Sequence, residues 1–125
     1  MTRDQINAVC KGLRASTHVV QWGGADVWKV GGKVFAIVGW DSDTAEGGTV
    51  VFKASEMAFE VLQHEEGIRP APYMASRGLK WLQHYGPPGG LSDAALRDHI
   101  TASYDLVLAG MSRKKRAELG LEAKA

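Results

Sequence analysis

Cysteine is almost missing from this chain. Cys10 is the only one in 125 residues, which rules out an internal disulfide framework and fits a reducing compartment. Long apolar runs are missing too: none approaches the ~20 residues that a membrane helix needs. The opening MTRDQINAVCKG has neither the apolar stretch nor the cleavage site of a secretory leader. Internal repeats and low-complexity segments are absent. The expectation is a cytoplasmic protein with no membrane attachment, one domain over residues 1–125. At 45% hydrophobic and 23% charged residues, such a chain can bury a core without metals or crosslinks.

Excess charge of either sign is also lacking, with 15 basic residues against 14 acidic ones and a net charge of +1. A whole-molecule field able to draw in a polyanion from a distance is therefore excluded. The average hides an uneven layout. Residues 111–125 hold five basic and two acidic residues, a basic tail of +3, while the preceding 110 residues stand at −2. A second asymmetry lies between Gly67 and Ser92, where there is no Asp or Glu at all.

What is present is organised around residues 27–53. Two apolar runs meet at Gly31-Gly32, a strong hairpin signal because both central residues of a two-residue turn take positive φ. A third strand follows at 50–53. In the strand from Lys33 to Trp40, simple alternation puts Phe35 and Ile37 on one face and Val34, Ala36, Val38 and Trp40 on the other, which marks a central strand. Thr2 and Gln5 have capping-box spacing, and Ile6, Val9, Cys10 and Leu13 form one apolar face of a helix over about 3–14. Cys10 lies on that face and reads as a buried thiol. Residues 15–26 read as a connection. Ser55 caps a second helix, with Ala58, Val61 and Leu62 inward and Met57 and Phe59 flanking. A second hairpin follows over 68–85, with Pro70 and Pro72 restricting its start to an edge. Trp81 alternates with Leu79 there and reads as core. Ser92 opens a long helix with Leu96, Ile100, Tyr104 and Val107 or Leu108 inward, and Ser112 caps a short helix beginning RKKR. The order α-β-β-β-α-β-β-α, in antiparallel hairpins, makes this an α+β fold with helices on one face of the sheet.

That order and several local words resemble the MmcQ/YjbR family, whose fold is similar to that of the frataxin (CyaY-like) proteins. The words are WKVGGKVFAIV at 28–38, VVFKAS at 50–55, RPAPYMASRGLKWL at 69–82 and LRDHITASYDLVLAGMSRKKR at 96–116. The resemblance implies a CyaY-like fold and DNA binding through a double wing of hairpins.

The residues add support of their own. The acid-free window interleaves Arg69, Arg77, Lys80 and His84 with Tyr73, Trp81 and Tyr85, cations for phosphates beside aromatic faces. Lys29 and Lys33 flank the first turn. The expected nucleic-acid contacts are therefore Lys29, Lys33, Arg77 and Lys80 on the hairpins, with Arg113, Lys114, Lys115 and Arg116 as an auxiliary clamp. Against this, strand-edge lysines also guard against aggregation, and RKKR after a helix also answers the helix dipole. No recognition helix is evident, so binding without sequence preference is expected. The rival reading is a protein- or small-ligand-binding module whose aromatic sheet face, with Trp28, Trp40, Trp81 and Tyr73, forms the site. A monomer or weak homodimer is expected in either case.

Other chemistries find no footing. Frataxin-type iron binding needs converging carboxylates, and the first helix offers only Asp4. The stretch Asp41-Ser42-Asp43 with Glu46 lacks the glycine at position six and the glutamate at position twelve of a calcium loop. His18, His64, His84 and His99 have no zinc spacing, and Ser103 has no nucleophile elbow. It reads, with Tyr104, as part of the packed face of the long helix. No cofactor, no metal and no enzymatic activity are expected.

Overall fold

The computed structural model of the chain describes residues 1–40, 49–72, 74, 78–86 and 89–121. Its elements run α1 (Arg3–Lys11), β1 (Ser16–Gln21), β2 (Ala25–Val30), β3 (Lys33–Val38), β4 (Val50–Lys53), α2 (Glu56–Leu62), β5 (Ile68–Pro70), β6 (Trp81–His84), α3 (Asp93–Ala109) and α4 (Arg113–Glu118). The six strands form one antiparallel sheet in the order β1-β2-β3-β4-β6-β5. Helices α1 and α3 pack on one face, α3 across β3 and β4. This is an α+β architecture, as the alternation of hairpins and helices predicts. The calcium-like stretch Asp41–Glu46 and the residues Tyr73 and Arg77 lie outside the described residues.

Local signals set the ends of elements. Thr2 and Gln5 exchange both bonds of a capping box, each backbone N–H donating to the other's side-chain oxygen. Ser55, Ser92 and Ser112 each accept a backbone N–H from three residues on. At Gly31 and Gly32, φ is 59° and 79°, the double positive φ that a tight β-hairpin turn requires.

Three packing details depart from simple periodicity. Residues 16–21 form a sixth strand rather than a connection. Their apolar content is low because β1 is a sheet edge, where only Val19 packs against the neighbouring cluster and Val20 is exposed. Helix α2 buries Phe59, whereas Met57 and Val61 face solvent. The third departure is in β3. Trp28 pairs with Ala36 but Lys29 with Val34, so Phe35 is an extra residue in the ladder, a bulge that resets the alternation. Phe35 therefore joins Ala36 and Val38 in the main core under the helices. Ile37 and Val34 fall with Trp40 in a second cluster on the opposite face.

Ser103 fixes the bulge. The β3–β4 ladder ends at Ala36 and Phe52, and at the next position the Ser103 hydroxyl stands between the strands. It accepts from Lys53 N–H at 2.8 Å and donates to the Phe35 carbonyl at 2.7 Å. The neighbouring Tyr104 packs edge-on against Phe35, ring centroids 5.4 Å apart, and its hydroxyl donates to the Arg14 carbonyl beyond α1. One pair of residues on α3 thus ties two strands and the end of α1 together. Cys10, fully buried beneath α1, has its thiol pKa pushed up to about 12 by burial, with Asp26 adding to the effect. It is a core residue and no nucleophile.

Removing the Ser103 hydroxyl leaves the buried Phe35 carbonyl unpaired, at a cost of about 1–3 kcal/mol, and a partly buried Lys53 N–H at a smaller one. Ser103→Ala should therefore lower the unfolding free energy by roughly 2–4 kcal/mol. Urea denaturation checks this; a shift below about 0.5 kcal/mol, the level of an ordinary surface change, would show that the bridge is dispensable.

Candidate nucleic-acid interface

The β2–β3 hairpin and the C-terminal segment, far apart in sequence, meet at one end of the molecule. Gly31 sits so close to the turn between α3 and α4 that a Cβ there would come within 2.8 Å of Met111 and 3.1 Å of Leu119. Those side-chain ends could give way, but φ of 59° at Gly31 favours a residue without a side chain at this contact. Leu121 is buried and the Gly120 carbonyl accepts from Arg14 at 2.8 Å, so residues 111–121 are packed against the domain.

This contact sets Lys33 at one corner with Met111, which lies just ahead of the cations of α4. Lys33, exposed, opens β3 and lines a notch with Gly110 and Met111. Lys29 is half-buried on β2, flanked in register by Thr17 and Val34. Arg113, Lys114 and Lys115 are exposed on α4, and Arg116 is half-buried with its Nε enclosed. The first turn of α4 holds no acidic residue, so its cations oppose the positive end of that short helix. Among the described residues no ion pair neutralises any of these side chains.

Lys80 does not join them. Its ammonium lies 4.8 Å from the centre of the Phe59 ring on α2, which turns it toward the helix side. Arg69 and His84 of the acid-free window have structural partners instead. Arg69 donates to Gln83 at 2.6 Å and covers the Tyr85 ring, and His84 is buried, its Nε2 accepting from Leu91 N–H at 2.9 Å.

Lys53 is the cation that sequence reasoning missed. It pairs in register with Trp81 and lines the same notch as Lys33. Its signal was its position one residue past Phe52, since alternation sends it to the face opposite the core. Trp81 is correspondingly half-buried beside the second cluster rather than in the main core, and Leu79 is exposed. Of the other aromatic residues expected on an open face, Trp28 is buried on the helix side, while Trp40 meets an exposed Trp22 at 5.7 Å.

A second polar constellation lies between α1 and β1. Asp26 accepts from Arg3 at 2.8 Å and Asn7 at 2.9 Å on one oxygen and meets His18 Nε2 at 2.7 Å on the other. Asn7 in turn accepts from the Trp28 indole N–H at 2.9 Å. Burial alone would raise the Asp26 pKa, but the hydrogen bonds from Asn7, His18 and Arg3, with the Arg3 charge, bring it below the usual value. Both carboxylate oxygens are committed, so this cluster reads as the latch holding α1 to the β1–β2 hairpin. The spacing of Arg3 and Asn7, one helical turn apart, was its only trace in the sequence.

Comparison with known proteins gives a consistent picture. The YjbR family model matches residues 11–106. Among solved structures, the crystal structure of Deinococcus radiodurans protein DR2400, described by a DUF419 domain, is similar over 99% of this chain and 93% of that one, with a TM-score of 0.78 and 22% identity. Similarity at that identity concerns the fold. No curated protein matches.

Two groups, the buried His84 and the partly buried Asp26, set an acid limit in two steps. Burial holds the His84 pKa below its usual 6.5, so the unfolded chain takes up the proton first and stability declines as pH falls below about 6.5. Asp26, whose pKa lies below the usual 3.8, contributes fully above that value and is lost as pH falls through its folded one. Urea midpoints measured from pH 8 to pH 3 should be flat at the top and decline in these two windows. His84→Gln, which keeps an acceptor for Leu91, should remove the first decline; an unchanged decline would place its origin elsewhere.

Proposed function

We propose that this chain, which belongs to the YjbR family, binds DNA without strong sequence preference, through the β2–β3 hairpin and helix α4. The observation that carries the reading is the seating of the Gly31-Gly32 turn on Met111 and Leu119. It groups Lys29 and Lys33 with the Arg113–Arg116 run on a protein whose net charge is only +1. Such local concentration of unpaired cations suits phosphate oxygens, which fix position and carry no base information. Helix α4, which carries these cations, is only six residues long, which favours backbone contact over groove reading. Lys53 joins the contact set, whereas Lys80, drawn to Phe59, contributes less than its sequence context suggests. Arg77, outside the described residues, stays a proposed contact on the second hairpin.

Fluorescence anisotropy of labelled DNA, titrated with the protein at several salt concentrations, tests this. Binding should be micromolar at low salt, with log K falling against log salt by about 0.9 for each duplex phosphate neutralised. Lys33→Gln and Arg113→Gln should each weaken binding to all sequences about equally and reduce the slope by about one contact. Lys80→Gln should change it less. Absence of binding at low salt would defeat the proposal, and an effect confined to one DNA sequence would defeat the phosphate role.

A further inference from the structure

The place where Ser103 ends the β3–β4 ladder is also where a notch opens. Past that bridge β3 continues toward its hairpin with β2, while β4 stays with β6 through the Lys53–Trp81 pair and the bond from Ala54 N–H to the Lys80 carbonyl. The two strands therefore part. The space between them, about 330 Å³, is lined by Val34 and Trp81, by Lys33 and Lys53, and by Gly110 and Met111 near the end of α3. That volume lies at the small end of the ~300–1,000 Å³ typical of ligand clefts, room for a planar ring system and little more.

Its chemistry is selective. Two lysines line the notch, and no acidic residue lines it or forms an ion pair with either among the described residues. Half-buried Trp81 lines the same space. An aromatic surface flanked by two unpaired cations matches a planar base carried between two phosphates. A base stacked within a duplex cannot reach such a recess; an unpaired one can.

We infer that the notch between β3 and β4 seats an unpaired base of single-stranded nucleic acid against Trp81, with Lys33 and Lys53 meeting the flanking phosphates. This rests on the nucleic-acid reading above and narrows it: the hairpin and α4 attract the backbone of any strand, and the notch favours strands whose bases are free. Stacking on an aromatic side chain contributes about 1–3 kcal/mol per base, so preference for an unpaired strand should be roughly 5- to 150-fold.

The test uses the full chain and three probes of about ten nucleotides, within the usual range of single-strand site sizes: a thymidine strand, an abasic strand of equal charge, and a duplex. Affinity is read by anisotropy and stacking by quenching of tryptophan emission. The thymidine strand should bind at least 5-fold more tightly than the abasic one and should quench. Trp81→Leu, checked for folding by circular dichroism, should abolish the quench and lower the thymidine affinity to the abasic level. It should leave duplex binding unchanged. Equal affinity for thymidine and abasic strands in the unmodified protein would overturn the base seat while leaving backbone binding intact, and needs no variant. Failure of all three probes to bind would overturn the underlying nucleic-acid reading as well.

Discussion

A single buried hydroxyl, that of Ser103, ties α3 to two strands of the sheet. Ser103 takes the position that an N–H···O=C bond between Lys53 and Phe35 would occupy had the ladder continued. The consequence is double. Both backbone groups stay satisfied where the ladder no longer offers them a strand partner, a condition that buried backbone rarely violates. The strands are also free to diverge beyond that point, because α3 rather than the opposite strand supplies the missing partner. The Phe35 bulge, its edge-on contact with Tyr104 and the bond from Tyr104 to the Arg14 carbonyl all follow from the same two turns of α3.

The Asp26 cluster does comparable work on the same face, toward the β1 edge of the sheet. Around one half-hidden carboxylate it gathers a guanidinium, an amide and an imidazole from α1 and β1. Partly buried ion pairs contribute little by attraction alone once desolvation is counted; their larger effect is geometric. With α1 latched there and α3 bridged at Ser103, the hairpin tip at Gly31 can rest on the α3–α4 corner and carry its lysines with it. The cationic end of the protein is thus a by-product of how the helices are attached, and the notch beside Trp81 arises from the same attachment.

Several features were open to reading from residues alone because their physics is local. Gly31-Gly32 requires positive φ wherever the chain goes. Thr2 with Gln5, and the serines at 55, 92 and 112, cap helices through atoms no more than three residues distant. The inward stripe of Leu96, Ile100, Tyr104 and Val107 follows from helical periodicity over a long element. Less was legible where non-local contacts decide. β1 carries almost no alternation because an edge strand packs little of itself. The bulge at Phe35 cannot be inferred from VFAIV, whose residues are apolar on either alternation. In α2, a helix of seven residues, the choice of Phe59 over Val61 as the buried side chain depends on what lies beneath.

The same division runs through the candidate interface. Residues read alone carry most of the element types, though not β1, together with the turn at Gly31-Gly32, the caps, the burial of Cys10 and the run of cations at Arg113–Arg116, since each depends on neighbours within one turn or one strand pair. Only the tertiary structure decided which cations share a surface. Lys33 and Lys53 come together because Ser103 opens the ladder between them; Lys80 is drawn aside by a ring on α2, and Trp81 moves from presumed core to the rim of a notch. Those outcomes depend on contacts between residues separated by twenty to eighty positions, and a linear pattern carries the period of an element but not the partner it will meet.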